Sequence, residues 1–121
     1  MKFVQSNQFE KLTANEQISI RAFLQCLDQA YGNAIQQVIL FGSKARGDSQ
    51  PESDIDILII VDEENWALRD EISRIAAQLS LAHDVLIGPR VIGEDRWRRM
   101  KSDRFTLYEN VSRDGLILSS P

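Results

Sequence analysis

Between two β-rich apolar runs, Val38-Ile39-Leu40-Phe41 and Ile57-Leu58-Ile59-Ile60-Val61, lies the segment that most restricts how this chain can fold: Gly42-Ser43-Lys44-Ala45-Arg46-Gly47-Asp48-Ser49-Gln50-Pro51-Glu52-Ser53-Asp54-Ile55-Asp56. A Gly-Ser pair leaves the first run, and an Asp-x-Asp pair opens the second. Side chains alternate faces along a strand, so Asp54 and Asp56 point one way while Ile55 and Ile57 point into the core. Two strands joined in this manner carry a tight turn at the end of one and a carboxylate pair at the start of the next.

Each half of the segment has a chemistry and a plain alternative. Two carboxylates projecting into one space repel, and each then favours its protonated form. A divalent cation removes that penalty, and magnesium suits oxygen ligands shared with substrate phosphates. An Asp54 that merely caps a turn after Ser53, beside an Asp56 that faces water, is the alternative; the apolar strand that follows weighs against it. Gly42 permits backbone geometry that a Cβ forbids and lets a ligand approach closely. Ser43 offers a hydroxyl and an N–H, and free N–H groups at the start of a helix there would face a phosphate. Lys44 and Arg46 add positive charge, though an ordinary strand-to-helix turn with a solvated basic pair has the same residues. The segment is not a Walker A loop, since no Gly-x-x-x-x-Gly-Lys-Ser/Thr occurs.

Asp84 is the candidate for a third carboxylate, because it starts the next predicted strand and would lie beside Asp56. Ending the preceding helix, or accepting a hydrogen bond from His83, is its other reading. His83, the single histidine, fits helix termination better than a metal site.

The remainder of the chain limits the possibilities. Its 121 residues suit one domain, 1–121, with residues 1–9 polar and loosely held. A net charge of −4 gives no bulk electrostatic case for binding nucleic acid or an anionic membrane. A single cysteine, Cys26, excludes an internal disulfide, and its place near the apolar face of the first helix suits a buried small hydrophobe. No apolar stretch reaches the length of a membrane span, and Met1-Lys2-Phe3-Val4-Gln5 lacks a signal peptide's hydrophobic region, so the expected location is cytoplasmic.

Apolar spacing predicts a helix from about Asn15 to Tyr31 and another from Trp66 to Leu81. Strands are predicted over Ile35–Phe41, Asp54–Val61 and His83–Ile87, the last closed by Gly88-Pro89. Asp48 to Ser53, with Pro51 inside it, reads as a loop. The last thirty residues read as two helical pieces around Lys101-Ser102-Asp103, then a short strand at Leu116-Ile117-Leu118. Strands alternating with helices predict a small α/β or α+β domain. The basic run Arg96, Arg98, Arg99, Lys101 and Arg104 reads first as a solvated helix face and second as a docking surface for an acidic partner or for phosphates. Trp97 and Tyr108 are candidate core anchors.

Gly42-Ser43, ten residues, then Asp54-Ile55-Asp56 resembles the signature of the DNA polymerase β-type nucleotidyltransferase superfamily. Ala45-Arg46-Gly47-Asp48 and Ser53-Asp54-Ile55-Asp56-Ile57 are closest to its minimal branch, in which the chain is little more than the catalytic core. Lys44 stands where arginine is frequent in that branch. The resemblance implies an α+β sandwich, a small mixed sheet with flanking helices. It also implies that Gly42, Ser43, Lys44 and Arg46 hold the triphosphate of ATP, and that Asp54, Asp56 and Asp84 bind two Mg2+ ions and carry catalysis. Two metals would stabilise the attacking and leaving oxygens of an in-line displacement.

The minimal branch is similar to the antitoxin of HEPN–MNT toxin–antitoxin pairs. That similarity implies a hetero-oligomer with a HEPN ribonuclease toxin and transfer of AMP from ATP to one of its tyrosines. Two other functions share the same core: transfer to a small hydroxylated molecule within an oligomer, and neutralisation of a partner by contact with the nucleotide site idle.

Overall fold

Ile20, Phe23, Leu24 and Leu27 recur at helical spacing and bury one side of α1 (Ala14–Tyr31). A reciprocal cap starts this helix: Thr13 Oγ1 accepts the Glu16 N–H at 3.1 Å, and Glu16 Oε1 accepts the Thr13 N–H at 2.9 Å. The computed structural model describes residues 1–4, 7–48, 50 and 53–121. In chain order its other elements are β1 (Lys2–Phe3), a 3-10 turn (Asn7–Lys11), β2 (Ile35–Phe41), α2 (Ser43–Arg46), β3 (Ile55–Val61), α3 (Trp66–His83), β4 (Ile87–Gly93), α4 (Glu94–Ser102), α5 (Thr106–Asp114) and β5 (Leu116–Ser120).

The five strands form one mixed sheet in the order β1-β5-β2-β3-β4. β3 and β4 run parallel, joined by α3 as the crossover, and the other pairs are antiparallel. This is the α+β arrangement expected from the sequence. Alternation along β3 divides the core in two. Ile55, Ile57, Ile59 and Val61 pack with α1 and α3 in the larger cluster, together with Phe23, Leu27 and Ile72. Leu58 and Ile60 face the other way, into a smaller cluster with Ile39, Ile92 and Val111, against which Trp97, Met100 and Leu107 of α4 and α5 pack. Trp97 and Tyr108 lie 4.9 Å apart between ring centroids; both are half-buried, and Trp97 packs at the edge of this cluster rather than anchoring a buried core.

Within the first nine residues, Lys2 and Phe3 pair with Ser120 and Ser119, and Phe9 is buried. Pairing with the distant C-terminal strand is a contact that local polarity does not report. The third predicted strand is displaced, because α3 continues through His83 and the strand begins at Ile87. Gly88-Pro89 lies inside β4 instead of closing it. Proline is tolerated there because β4 is an edge strand with one side unpaired. The second strand starts at Ile55, one residue later than expected. Ser49, Pro51 and Glu52 of the expected loop lie outside the described residues. Among the described residues no helix is long and apolar enough to cross a membrane.

Candidate functional site

The end of β2 delivers the Gly-Ser turn directly onto the carboxylates. Phe41, the last residue of β2, is the register partner of Asp56. Gly42 then turns out with φ 75° and ψ −157°, and a Cβ on it would fall 2.3 Å from Asp56 Oδ2. Only glycine fits a left-handed residue pressed against that oxygen. Ser43 opens α2, a single turn in which its carbonyl accepts the Gly47 N–H at 2.9 Å and the Asp48 N–H at 3.2 Å.

The other wall comes from β4. Gly88 stands in register with Asp56, and a Cβ there would sit 3.6 Å from Asp56 Oδ1 and 3.8 Å from Asp54 Oδ2. The two carboxylates therefore converge, between one glycine on β2's exit and another on β4. Burial and then the Asp54 charge push the Asp56 carboxyl above the ordinary aspartate value, with Arg90 and Arg46 opposing the rise. A converging, mutually repelling pair of oxygen donors fits a divalent cation of the magnesium type. Among the described residues no group of three Asp, Glu, His or Cys side chains is gathered closely enough to hold a metal.

Two residues expected at the site stand elsewhere. Asp84 is the C-cap of α3, in the left-handed region at φ 52° and ψ 48°, and Gly88 takes the place beside Asp56 that Asp84 was expected to fill. Asp84 instead lines a depression of about 330 Å³ with Thr13, Glu16, Ser53, Ile55 and Leu86. The longer α3 moves it off the strand. Lys44 is also not a free phosphate contact: it is 3% exposed, and its Nζ lies 2.5 Å from Glu16 Oε2. Its position in the turn points it back under α1. Arg46 remains exposed, paired with Asp48 at 3.2 Å and close enough to act on Asp56.

Sequence reasoning missed Gly88, Arg90 and Glu16. Arg90 lies two residues beyond Gly88, on the same face of β4 as the carboxylates' face of β3. The signal was the alternation of Ile87, Pro89 and Val91 against Gly88, Arg90 and Ile92, obscured by reading Gly-Pro as a stop. Glu16 was visible only as the second half of a Thr-x-x-Glu cap. Two of the five cations of the basic run are paired on the protein itself: Arg96 with Glu64 at 3.0 Å, and Arg98 with Glu94 at 2.5 Å.

Residues 20–105 match the Nucleotidyltransferase domain family. Putative protein adenylyltransferase MJ0604 of Methanocaldococcus jannaschii is 36% identical over 104 residues, covering 86% of this chain and 98% of that protein. A crystal structure of a toxin–antitoxin with AMP-PNP superposes with a TM-score of 0.58 at 22% identity, over 90% of this chain and 75% of that one. A structure described as a minimal nucleotidyltransferase gives a TM-score of 0.55 at 23% identity, over 87% and 96%. At these identities the two structures establish the shared fold.

Proposed function

Because the chain belongs to the nucleotidyltransferase domain family, we propose that it transfers AMP from ATP to a tyrosine hydroxyl of a HEPN-type ribonuclease toxin, and so acts as that toxin's antitoxin. The observation that carries this reading is the convergence of Asp54 and Asp56 between the Gly42 turn and Gly88. The protein adenylyltransferase name of the M. jannaschii relative supports the reaction, and the toxin–antitoxin structure with AMP-PNP supports the kind of partner.

Asp54 and Asp56 are the residues that would hold Mg2+, which when bound supplies positive charge to the triphosphate oxygens. The Gly42 turn admits the triphosphate close to the main chain, and the Ser43 hydroxyl and N–H are within its reach. Arg46 and Arg90 flank Asp56 and offset the negative charge gathered there. The acceptor oxygen bonds to the α-phosphorus as the bond to the pyrophosphate oxygen breaks, and the hydroxyl proton passes to solvent. Such a transfer depends on positioning and charge neutralisation, which these residues provide. Arg90 on β4 takes a part that the resemblance gave to Lys44.

The test is incubation of the protein with Mg2+, labelled ATP and the product of the neighbouring gene. Label on a tyrosine of that partner is expected, and Asp54→Ala/Asp56→Ala should lower it by at least about 10²-fold. No label on either protein, with metal binding intact, overturns the proposal. Protection of cells that survives the double substitution would point to neutralisation by contact.

A further inference from the structure

The buried Lys44–Glu16 ion pair has no part in the transfer just described, and it is costly to bury. We propose that Lys44 is a positioning residue: with Glu16 it forms a strut that sets the separation between the Gly-Ser turn and the Asp54 end of β3. The inference rests on those two segments being the nucleotide site.

The connections run through atoms of all three segments. Lys44 is the second residue of α2, next to Ser43. Its ammonium reaches Glu16 Oε2 at 2.5 Å and donates to the Gln50 carbonyl at 3.1 Å. Glu16 is held from its own side, since Oε1 accepts the Thr13 N–H in the cap of α1. The Gln50 carbonyl also accepts the Ser53 N–H at 3.0 Å, and the Ser53 Oγ accepts the Gln50 N–H at 3.0 Å. Ser53 precedes Asp54. One ammonium thus joins the start of α1, the turn that follows β2 and the residue that leads into the carboxylate pair.

Burial makes the strut stiff. Lys44 is 3% exposed and Glu16 7%, so neither charge can part from the other without standing unpaired out of water. A lysine swung out toward a phosphate would leave the Glu16 carboxylate in that condition. Lysine carries three donors and no acceptor, and two of the three are engaged within the protein.

The experiment compares the full chain with Lys44→Met, Lys44→Arg, Glu16→Gln and Lys44→Met/Glu16→Gln. Backbone hydrogen exchange over residues 42–48 and calorimetric affinity for Mg–ATP are measured on each, with exchange in α3 as the folding control. Glu16→Gln and Lys44→Met should each speed exchange at 42–48 about tenfold while α3 stays protected. Each should also weaken Mg–ATP binding about tenfold, through a residue that in the case of Glu16 touches no ligand. The double variant should lose no more than the worse single one, as expected for two members of one unit. Lys44→Arg, which keeps the charge, should restore most of both.

Affinity that holds or rises in Glu16→Gln while falling in Lys44→Met would mean that Lys44 contacts phosphate directly, and overturns the proposal. Unchanged exchange at 42–48 in Glu16→Gln overturns it as well. Should Lys44→Met not fold, Glu16→Gln and Lys44→Arg decide the matter between them. Should the unsubstituted protein bind no Mg–ATP, the nucleotide reading falls, and the exchange arm still decides whether the strut exists.

Discussion

The two faces of the sheet are built from the same strands and behave oppositely. Toward α1 and α3, β3 presents Ile55, Ile57, Ile59 and Val61, all nearly or fully buried in the larger cluster. On the other face, α4 and α5 pack over Leu58, Ile60, Ile39 and Ile92 and leave the Asp54–Asp56 end uncovered. Asp54 is exposed and Asp56 half-buried at that open end. Covering one face completely stabilises the sheet, whereas covering the other only in part leaves room where two carboxylates can meet a ligand. Stability and chemistry are thus separated by a single residue step along one strand.

Substitutions on β3 and β4 can break or sharpen this separation. The largest effect is expected from Ile57→Ala, which opens a cavity in the larger cluster and should cost about 2–5 kcal/mol by denaturant unfolding. Leu58→Ala, one residue on and facing the smaller cluster, should fall near the lower end of that range, because half-buried neighbours such as Trp97 and Met100 can relax into the space. A larger loss at Leu58 than at Ile57 would remove the distinction between the faces.

Arg90→Ala should show the opposite profile. Its exposed side chain leaves stability within about 0.5 kcal/mol. Transfer from ATP should nevertheless fall about tenfold, read as initial rate at fixed Mg2+, since a charge facing Asp56 is lost. An unchanged rate would remove β4 from the site.

The smallest effect is a pH dependence. Burial and Asp54 raise the folded-state pKa of Asp56 above its unfolded value, so the folded form favours the proton. The native protein should therefore lose stability as pH rises from the ordinary aspartate value through the raised one, and keep that deficit above it. Asp56→Asn lacks the deficit. Without divalent cation it should melt at the same temperature as the parent in acid and at a higher one at neutral pH. A lower melting temperature at neutral pH would show that the carboxylate is stabilising, and that the open end is not poised for a cation.

Much of the architecture is legible from local pattern. The α1 helix was read from its apolar spacing to within one residue of its start, and β2 was read to both ends. The Gly42 turn and the Asp54–Asp56 pair were legible because each depends on residue type over a few positions. Asp84 and Lys44 stand elsewhere than the leading reading placed them, and Arg90 was not read at all, for a different reason in each case. Asp84 depends on where α3 ends, and His83 continues the helix so that the Asp84 N–H bonds back to the Ser80 carbonyl. Lys44 depends on a carboxylate 28 positions earlier in the chain, which spacing within the motif does not reveal. Arg90 depends on a strand containing a Gly-Pro pair, which only an edge position tolerates.

By itself the sequence determined the fold class, the Gly-Ser turn and the two carboxylates opposite it, because glycine geometry and strand alternation act over neighbouring residues. Tertiary structure alone decided which charges share that space. Ion pairing and strand register join residues far apart in the chain, so Lys44 went to Glu16, Asp84 stayed outside the carboxylate pair, and Gly88 and Arg90 came to face it.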